Sequence, residues 1–208
     1  KVETFVNLLI ETIRMKVLVV GPDFVMGHNR EGTVSMLEKL GRKLGFSVMV
    51  IPHIFDSNEK IISSTAIRKA ISYGSMGRAS ALLGYDYSIE GEIVQGSGIG
   101  KELGFPTANL QVSDQILIPR DGIYATWATL PNGKYMSATS IGNRPTFNDE
   151  GYLVETFILG LQSDLYGSLL KLEFVSWLRD QVKYANIQDL KDQIAKDVQI
   201  TKNILETT

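Results

Sequence analysis

Residues 96–110, GSGIGKELGFPTANL, join a glycine-rich turn to a compact polar tetrad, Pro106-Thr107-Ala108-Asn109. Glycine tolerates positive φ, so Gly96, Gly98 and Gly100 are expected to let the backbone turn with successive N–H groups pointing into one concavity that binds anions. Lys101 follows with a mobile positive charge. Thr107 and Asn109 stand two residues apart, so on an extended segment a hydroxyl and an amide carbonyl face the same side. Hard oxygen ligands of this kind, completed by phosphate oxygens, suit Mg²⁺. A short glycine loop is a weak motif by itself, and the stretch also reads as an ordinary hairpin loop leading into a strand. A carboxylate able to take a proton is Glu155, in LVETFIL; alternation alone would turn it outward into solvent.

The elements that must hold these groups follow from periodicity. Val2, Phe5, Val6, Leu9, Ile10 and Ile13 recur at helical spacing over 2–13, residues 16–20 read as a buried strand, Val34, Leu37 and Leu40 mark a helix over 32–44, and 46–51 read as a strand. This β/α alternation predicts a parallel sheet with covering helices and ligands at the C-terminal ends of the strands, where the loop GPDFVMGHNREG lies. Ser63, Ser64 and Thr65 open a helix over 63–72, with Arg68 one turn in; a second helix over 76–83 stops at Gly84. The period then changes to two, which sets a domain boundary at Gly84/Tyr85 and divides the chain into 1–84 and 85–208. Short β-rich runs follow at 88–94, 107–110, 122–129, 134–141, 153–159 and 169–177, separated by turn signals such as Pro131-Asn132-Gly133 and Asp149-Glu150-Gly151. They predict a small antiparallel six-stranded barrel. Asn186 caps a final helix whose apolar stripe, Ile187, Leu190, Ile194, Val198 and Ile200, is expected to pack against it.

Composition narrows the function classes. A net charge of −2 over 208 residues, without a Lys/Arg cluster, argues against nucleic acid as a partner. Cysteine is absent and there are two histidines, His28 and His53, so thiolate metal sites are excluded and a multi-histidine zinc site is disfavoured. The histidines read as surface or loop residues. No apolar run approaches the roughly 20 residues of a membrane span and no signal-peptide layout is present, so a soluble, cytoplasmic protein is expected. The sequence starts at Lys1, directly in a helical pattern, as expected of a fragment or of a sequence whose beginning is omitted.

The 96–110 segment resembles the phosphate loop and PTAN motif of riboflavin kinases, and the chain as a whole resembles the C-terminal two thirds of bacterial bifunctional riboflavin kinase/FAD synthetases, most strongly over 85–198. The resemblance implies that Gly96, Gly98, Gly100 and Lys101 bind ATP phosphates, that Thr107 and Asn109 hold Mg²⁺, and that Glu155, in a matching V/M-E-T/V strand motif, is the catalytic base. SIGNRPTF, over 140–147, resembles a segment beside the flavin site and so implicates Arg144 and Phe147; read without it, the segment is a strand end and a proline turn. Asp164-Leu165-Tyr166-Gly167 matches a family turn. Leu178-Arg179-Asp180 with Lys183-Tyr184 resembles a flap over flavin and phosphates, in which Arg179 would contact phosphate or stack on a ring; otherwise it is an exposed arginine beside an exposed aspartate. Two positions depart from the pattern: Ile99 stands where arginine is usual in the loop, and Tyr184 where phenylalanine is common.

Before residue 85, GPDFVMGHNREG and IISSTAIRKAI resemble motifs of the FMN adenylyltransferase half of the same proteins, a Rossmann-like nucleotidyltransferase. By that resemblance Ser63, Ser64, Thr65 and Arg68 contact nucleotide phosphates and Asp23 lies near the substrate cleft. The family's G-x-F-D-G-x-H-x-G-H element is absent from this sequence, so adenylyl transfer is expected to be inactive in it. The implied function is ATP- and Mg²⁺-dependent phosphorylation of riboflavin to FMN by 85–208, with FMN adenylylation to FAD in a longer protein. A non-catalytic flavin- or nucleotide-binding barrel, weakened by Ile99, is the alternative; an oligonucleotide-binding barrel would want a positive groove that this composition lacks. Half of an open sheet exposes apolar edges, so self-association or disorder is expected of the first module.

Overall fold

A computed structural model describes residues 1–96, 98–143, 152–161 and 163–207. The chain divides into two compact units, Lys1–Ile62 and Ser63–Thr208. The first holds α1 (Val2–Ile13), β1 (Val17–Val20), β2 (Val25–Met26), β3 (Gly32–Thr33), α2 (Val34–Leu44) and β4 (Ser47–Val50). Val2, Val6, Leu37, Leu40 and Phe46 form its core. β1 and β4 pair in parallel, from Val17 with Ser47 to Val20 with Val50, as the β/α alternation predicts. The two-residue strands β2 and β3 pair antiparallel at the centre and end of GPDFVMGHNREG, Val25 with Thr33 just beyond it; they are too short to show a period. Val17, Val19 and Met49 remain exposed on the small sheet.

The second unit holds α3 (Ser64–Ser72), α4 (Met76–Leu83), β5 (Ser88–Val94), α5 (Ile99–Glu102), β6 (Thr107–Gln111), β7 (Gly122–Leu130), β8 (Gly133–Asn143), β9 (Tyr152–Ile158), β10 (Leu169–Arg179) and α6 (Ile187–Leu205). β5 to β10 close into a barrel in the order β10-β5-β6-β9-β8-β7, every neighbouring pair antiparallel. The period-two runs are therefore the staves of the expected six-stranded barrel. Tyr124, Ile141, Val154, Leu170, Leu172 and Phe174 fill its interior. Across this apolar core runs a chain of hydroxyls: Thr126 Oγ1 lies 2.7 Å from both Ser137 Oγ and Thr139 Oγ1, and Thr139 donates to Thr156 Oγ1 at 2.8 Å. All four residues are fully buried. A satisfied polar chain penalises any slip of β7, β8 and β9, because a one-residue shift would leave hydroxyls unpaired in hydrocarbon.

The packing unit begins ahead of the change of period at Gly84/Tyr85. Ala70, Ile71, Met76 and Ala79, from α3 and α4, belong to the same core cluster as the barrel interior, and apolar burial rather than periodicity sets its limit. α6 starts at its expected cap, with Asn186 accepting from the Asp189 N–H at 2.8 Å. Of its expected stripe, Leu190, Ile194 and Val198 are half-buried and Ile187 and Ile200 are exposed, while Asp197, Thr201 and Leu205 are buried. Asp197 is buried in an ion pair to the barrel, described below.

Candidate active site

Alternation along β6, β9 and β8 decides which side chains leave the barrel interior. Asn109 stands opposite Glu155, Glu155 opposite Ser140, Thr107 opposite Phe157, and Phe157 opposite Ala138. Directly paired residues share a face, so these residues line the outer surface of the barrel. Glu155 does point outward, as periodicity predicts, but into a cavity of about 320 Å³ and not into bulk solvent. Thr107, Ile123, Ser140, Glu155 and Phe157 form its floor, while Leu190, Ile194 and Asp197 of α6 and Gln181, Val182 and Tyr184 of the β10–α6 connection complete it. Phe105 meets Phe157 edge to face at 5.4 Å on the same side. A flat apolar ligand with a polar tail suits such walls.

A second cavity of about 410 Å³ is lined by Lys101, Pro106, Thr107, Thr156, Ser163, Asp164 and Tyr166, among others. Thr107 lines both. The family turn at 164–167 thus borders a cavity, and Gly167 adopts the left-handed φ of 74° that its turn demands.

The glycine loop works differently from the expected nest. Among its three glycines only Gly98 has positive φ, at 78°. Gly96 and Gly100 are needed for close approach. A methyl group at position 96 would overlap the side-chain amide of Asn109, and one at position 100 would lie 2.6 Å from the Phe105 carbonyl oxygen and 3.1 Å from Thr107 Oγ1. The loop backbone is thus pressed onto the two candidate metal ligands, and residues 99–102 continue as the single turn α5. Asn109 is 4% exposed. Its Oδ1 has no hydrogen-bond partner among the described residues. A buried carbonyl oxygen without a donor is costly, and a hard cation would satisfy it. The donor set of Thr107 and Asn109 therefore fits Mg²⁺.

Arg179 is neither exposed nor free. Its Nε lies 3.0 Å from Asp197 Oδ1 and its Nη2 2.6 Å from Oδ2, a two-point contact with a carboxylate whose side chain is 5% exposed. The hydrogen bond that Arg179 donates to Asp197 leads the causes that raise the Arg179 pKa further above its ordinary value. Gln193 adds a hydrogen bond to Asp197 Oδ1 at 2.9 Å. β10 is bulged between Phe174 and Ser176 and again between Trp177 and Arg179. The second bulge sends Trp177 and Arg179 to opposite faces although they are two residues apart. Arg179 is thus delivered to α6 and the first cavity. Asp197, invisible to a reading of α6 as an apolar stripe, is the residue that fixes the helix there. Asp197→Ala should destabilise the fold by about 3 kcal/mol, the lower end for stranding one member of a buried pair, because Arg179 retains some access to water. Urea denaturation followed by far-UV circular dichroism would measure it.

A riboflavin kinase family model matches residues 83–205. The chain belongs to the riboflavin kinase family. An FAD synthetase family model matches residues 1–66. Among curated relatives, the bifunctional riboflavin kinase/FMN adenylyltransferase of Buchnera aphidicola is 35% identical over 200 residues, covering 95% of this chain and 63% of the relative. That of Haemophilus influenzae is 34% identical, over 93% of this chain and 63% of the relative. A crystal structure described as a macrolide-efflux protein from Streptococcus pneumoniae superposes with a TM-score of 0.86 at 30% identity, covering 97% of this chain and 64% of that one. The chain thus spans about 63% of the length of those curated relatives. No described helix in it is long and apolar enough to cross a membrane.

Other expected site residues fall as follows. Arg144 and Phe147 lie outside the described residues. In the first unit, Asp23 is exposed in the turn after β1. In the second, Ser63 caps α3 by accepting from the Ala66 N–H at 3.2 Å, and Ser64, Thr65 and Arg68 are exposed on its first turns.

Proposed function

We propose that this chain transfers the γ-phosphoryl group of ATP to the 5′-hydroxyl of riboflavin, giving FMN and ADP. The observation that carries this reading is the pair of adjoining cavities with Thr107 common to both, Glu155 in one and Lys101 in the other. Two substrates that must meet need such an arrangement. The first cavity, with Phe157, Val182, Tyr184 and Leu190 on its walls, takes the flavin ring; the second takes the nucleotide.

Glu155 accepts the proton of the ribityl 5′-hydroxyl as its oxygen bonds to the γ-phosphorus. The bond from that phosphorus to the bridging oxygen breaks, and ADP leaves with the electron pair. Lys101 and the loop N–H groups balance charge on the phosphate oxygens. Thr107 and Asn109 would hold Mg²⁺, which when bound neutralises phosphate charge. α6 and the 181–184 connection exclude water, so that the phosphoryl group meets the flavin hydroxyl first.

Residues 1–66 are part of an adenylyltransferase module, with Asp23, Ser63, Ser64, Thr65 and Arg68 serving FMN adenylylation to FAD in a longer protein. A cytoplasmic location, where ATP is plentiful, fits this chemistry. Exposed Val17, Val19 and Met49 on the first unit support self-association, which sedimentation at rising concentration would read. Incubation with riboflavin, ATP and Mg²⁺, followed by chromatographic separation of the flavins, tests the main reading. FMN without FAD is expected; riboflavin recovered unchanged would overturn it.

A further inference from the structure

The β10–α6 connection, residues 180–186, has no secondary structure of its own, yet supplies Gln181, Val182 and Tyr184 to the first cavity. Among the described residues, three hydrogen bonds tether its start. Arg179 donates from Nη1 to the Asp180 carbonyl at 2.9 Å, Gln181 donates from Nε2 to Ser140 Oγ at 2.9 Å, and Arg120 Nη2 lies 2.5 Å from Asp180 Oδ1. The first two involve cavity residues. Arg120 does not line the cavity, and nothing in the motif at 106–109 or in the flap motif pointed to it.

Arg120 is itself fixed on several sides. Its guanidinium lies over the Trp177 ring, 5.0 Å from the ring centre. Its backbone N–H donates to the Ile71 carbonyl of α3 at 3.5 Å, and its carbonyl accepts from the Tyr124 hydroxyl. Trp177 in turn is seated by Gly122, whose absent side chain would strike the indole Nε1. A guanidinium stacked on an anchored ring is pre-organised for a carboxylate, so less freedom is lost when the pair forms.

We infer that Arg120 is a positioning residue for the flavin pocket: stacked on Trp177 and paired with Asp180, it latches the 180–186 connection over the first cavity and so sets the affinity for riboflavin. This rests on the kinase reading above. A side chain that lines neither cavity and acts through the connection over one of them affects the binding of that substrate, not the chemical step.

The test compares the unaltered chain with Arg120→Gln, Arg120→Lys and Asp180→Asn, using riboflavin fluorescence quenching for binding, FMN formation for turnover and amide hydrogen exchange for the connection. Arg120→Gln and Asp180→Asn should each raise the riboflavin KM and Kd about three- to tenfold, the scale of one exposed ion pair with a cation–π contact. The KM for ATP and kcat should stay within about twofold. Arg120→Lys, which keeps the charge but not the flat stack, should fall between. Exchange at 181–186 should quicken without a matching fall in melting temperature, a signature that a merely structural role would not give. The pair should also be non-additive, with Arg120→Gln/Asp180→Asn no worse than either single change. Unchanged riboflavin affinity, or equal losses for both substrates with a lowered melting temperature, would overturn the latch while leaving the kinase standing. An unaltered chain that neither binds riboflavin nor makes FMN would remove both.

Discussion

Replacing Glu155 by glutamine should lower kcat on the order of 10²–10⁴-fold, the usual contribution of a positioned general base, with little change in the KM for either substrate. The amide keeps the volume and the outward aim of the side chain from β9, so the cavity and the barrel interior behind it are undisturbed. What is lost is the capacity to take the proton of the flavin hydroxyl. Steady-state assays of FMN formation with both substrates varied would check it, and a mutant that kept near-normal turnover would refute the assignment. The hydroxyl chain adds a control. Thr126 is fully buried in the barrel and lines neither cavity, so Thr126→Val should act mainly on stability, by leaving the Ser137 and Thr139 hydroxyls without their partner at 2.7 Å.

The second large effect is expected at Gly96. An alanine there would overlap the Asn109 amide, and displacement of a candidate ligand by about an ångström is worth on the order of 10²-fold in rate. Gly96→Ala should therefore cut kcat about 10²-fold and raise the Mg²⁺ concentration needed for half-maximal activity. Gly98→Ala provides the contrast. Position 98 has positive φ but open space around its missing side chain, so alanine there costs about 1–2 kcal/mol of local strain and leaves Asn109 in place. An anion nest built on backbone flexibility would make Gly98 the more sensitive position; close contact with Asn109, the candidate metal ligand, makes it Gly96. Magnesium titrations of the two variants separate these origins.

Much of this arrangement was legible in the sequence. Period-two runs between turn signals gave the six staves, and the spacing of Thr107 and Asn109 put two oxygens on one face. The outward aim of Glu155 was legible too, but its enclosure was not, because the walls come from α6 and the 180–186 connection, far along the chain. Periodicity alone makes Arg179 an exposed residue beside Asp180, since nothing local signals a bulge, and without the bulge it would share a face with Trp177; only the resemblance to the flap motif points to it as a site residue. Asp197 was hidden inside a helix read for its apolar stripe. Thr126, Ser137, Thr139 and Thr156 carry the same difficulty: hydropathy counts a threonine or serine as neutral, and only the barrel's closure brings the four hydroxyls within bonding distance. The compact unit starts at Ser63, ahead of the change of period at Gly84/Tyr85, since α3 and α4 join the barrel core through Ile71 and Met76, contacts that no change of period marks.

The most direct test of the central claim, that phosphoryl transfer takes place on the outer face of the barrel beneath α6, is a crystal structure of this chain with FMN, ADP and Mg²⁺. The isoalloxazine ring is expected in the cavity between Phe157, Tyr184 and Leu190, with the flavin 5′-oxygen within hydrogen-bonding reach of Glu155 and the metal on Asn109 Oδ1 and Thr107 Oγ1. Flavin bound elsewhere on the chain, or a metal held without Asn109, would contradict it.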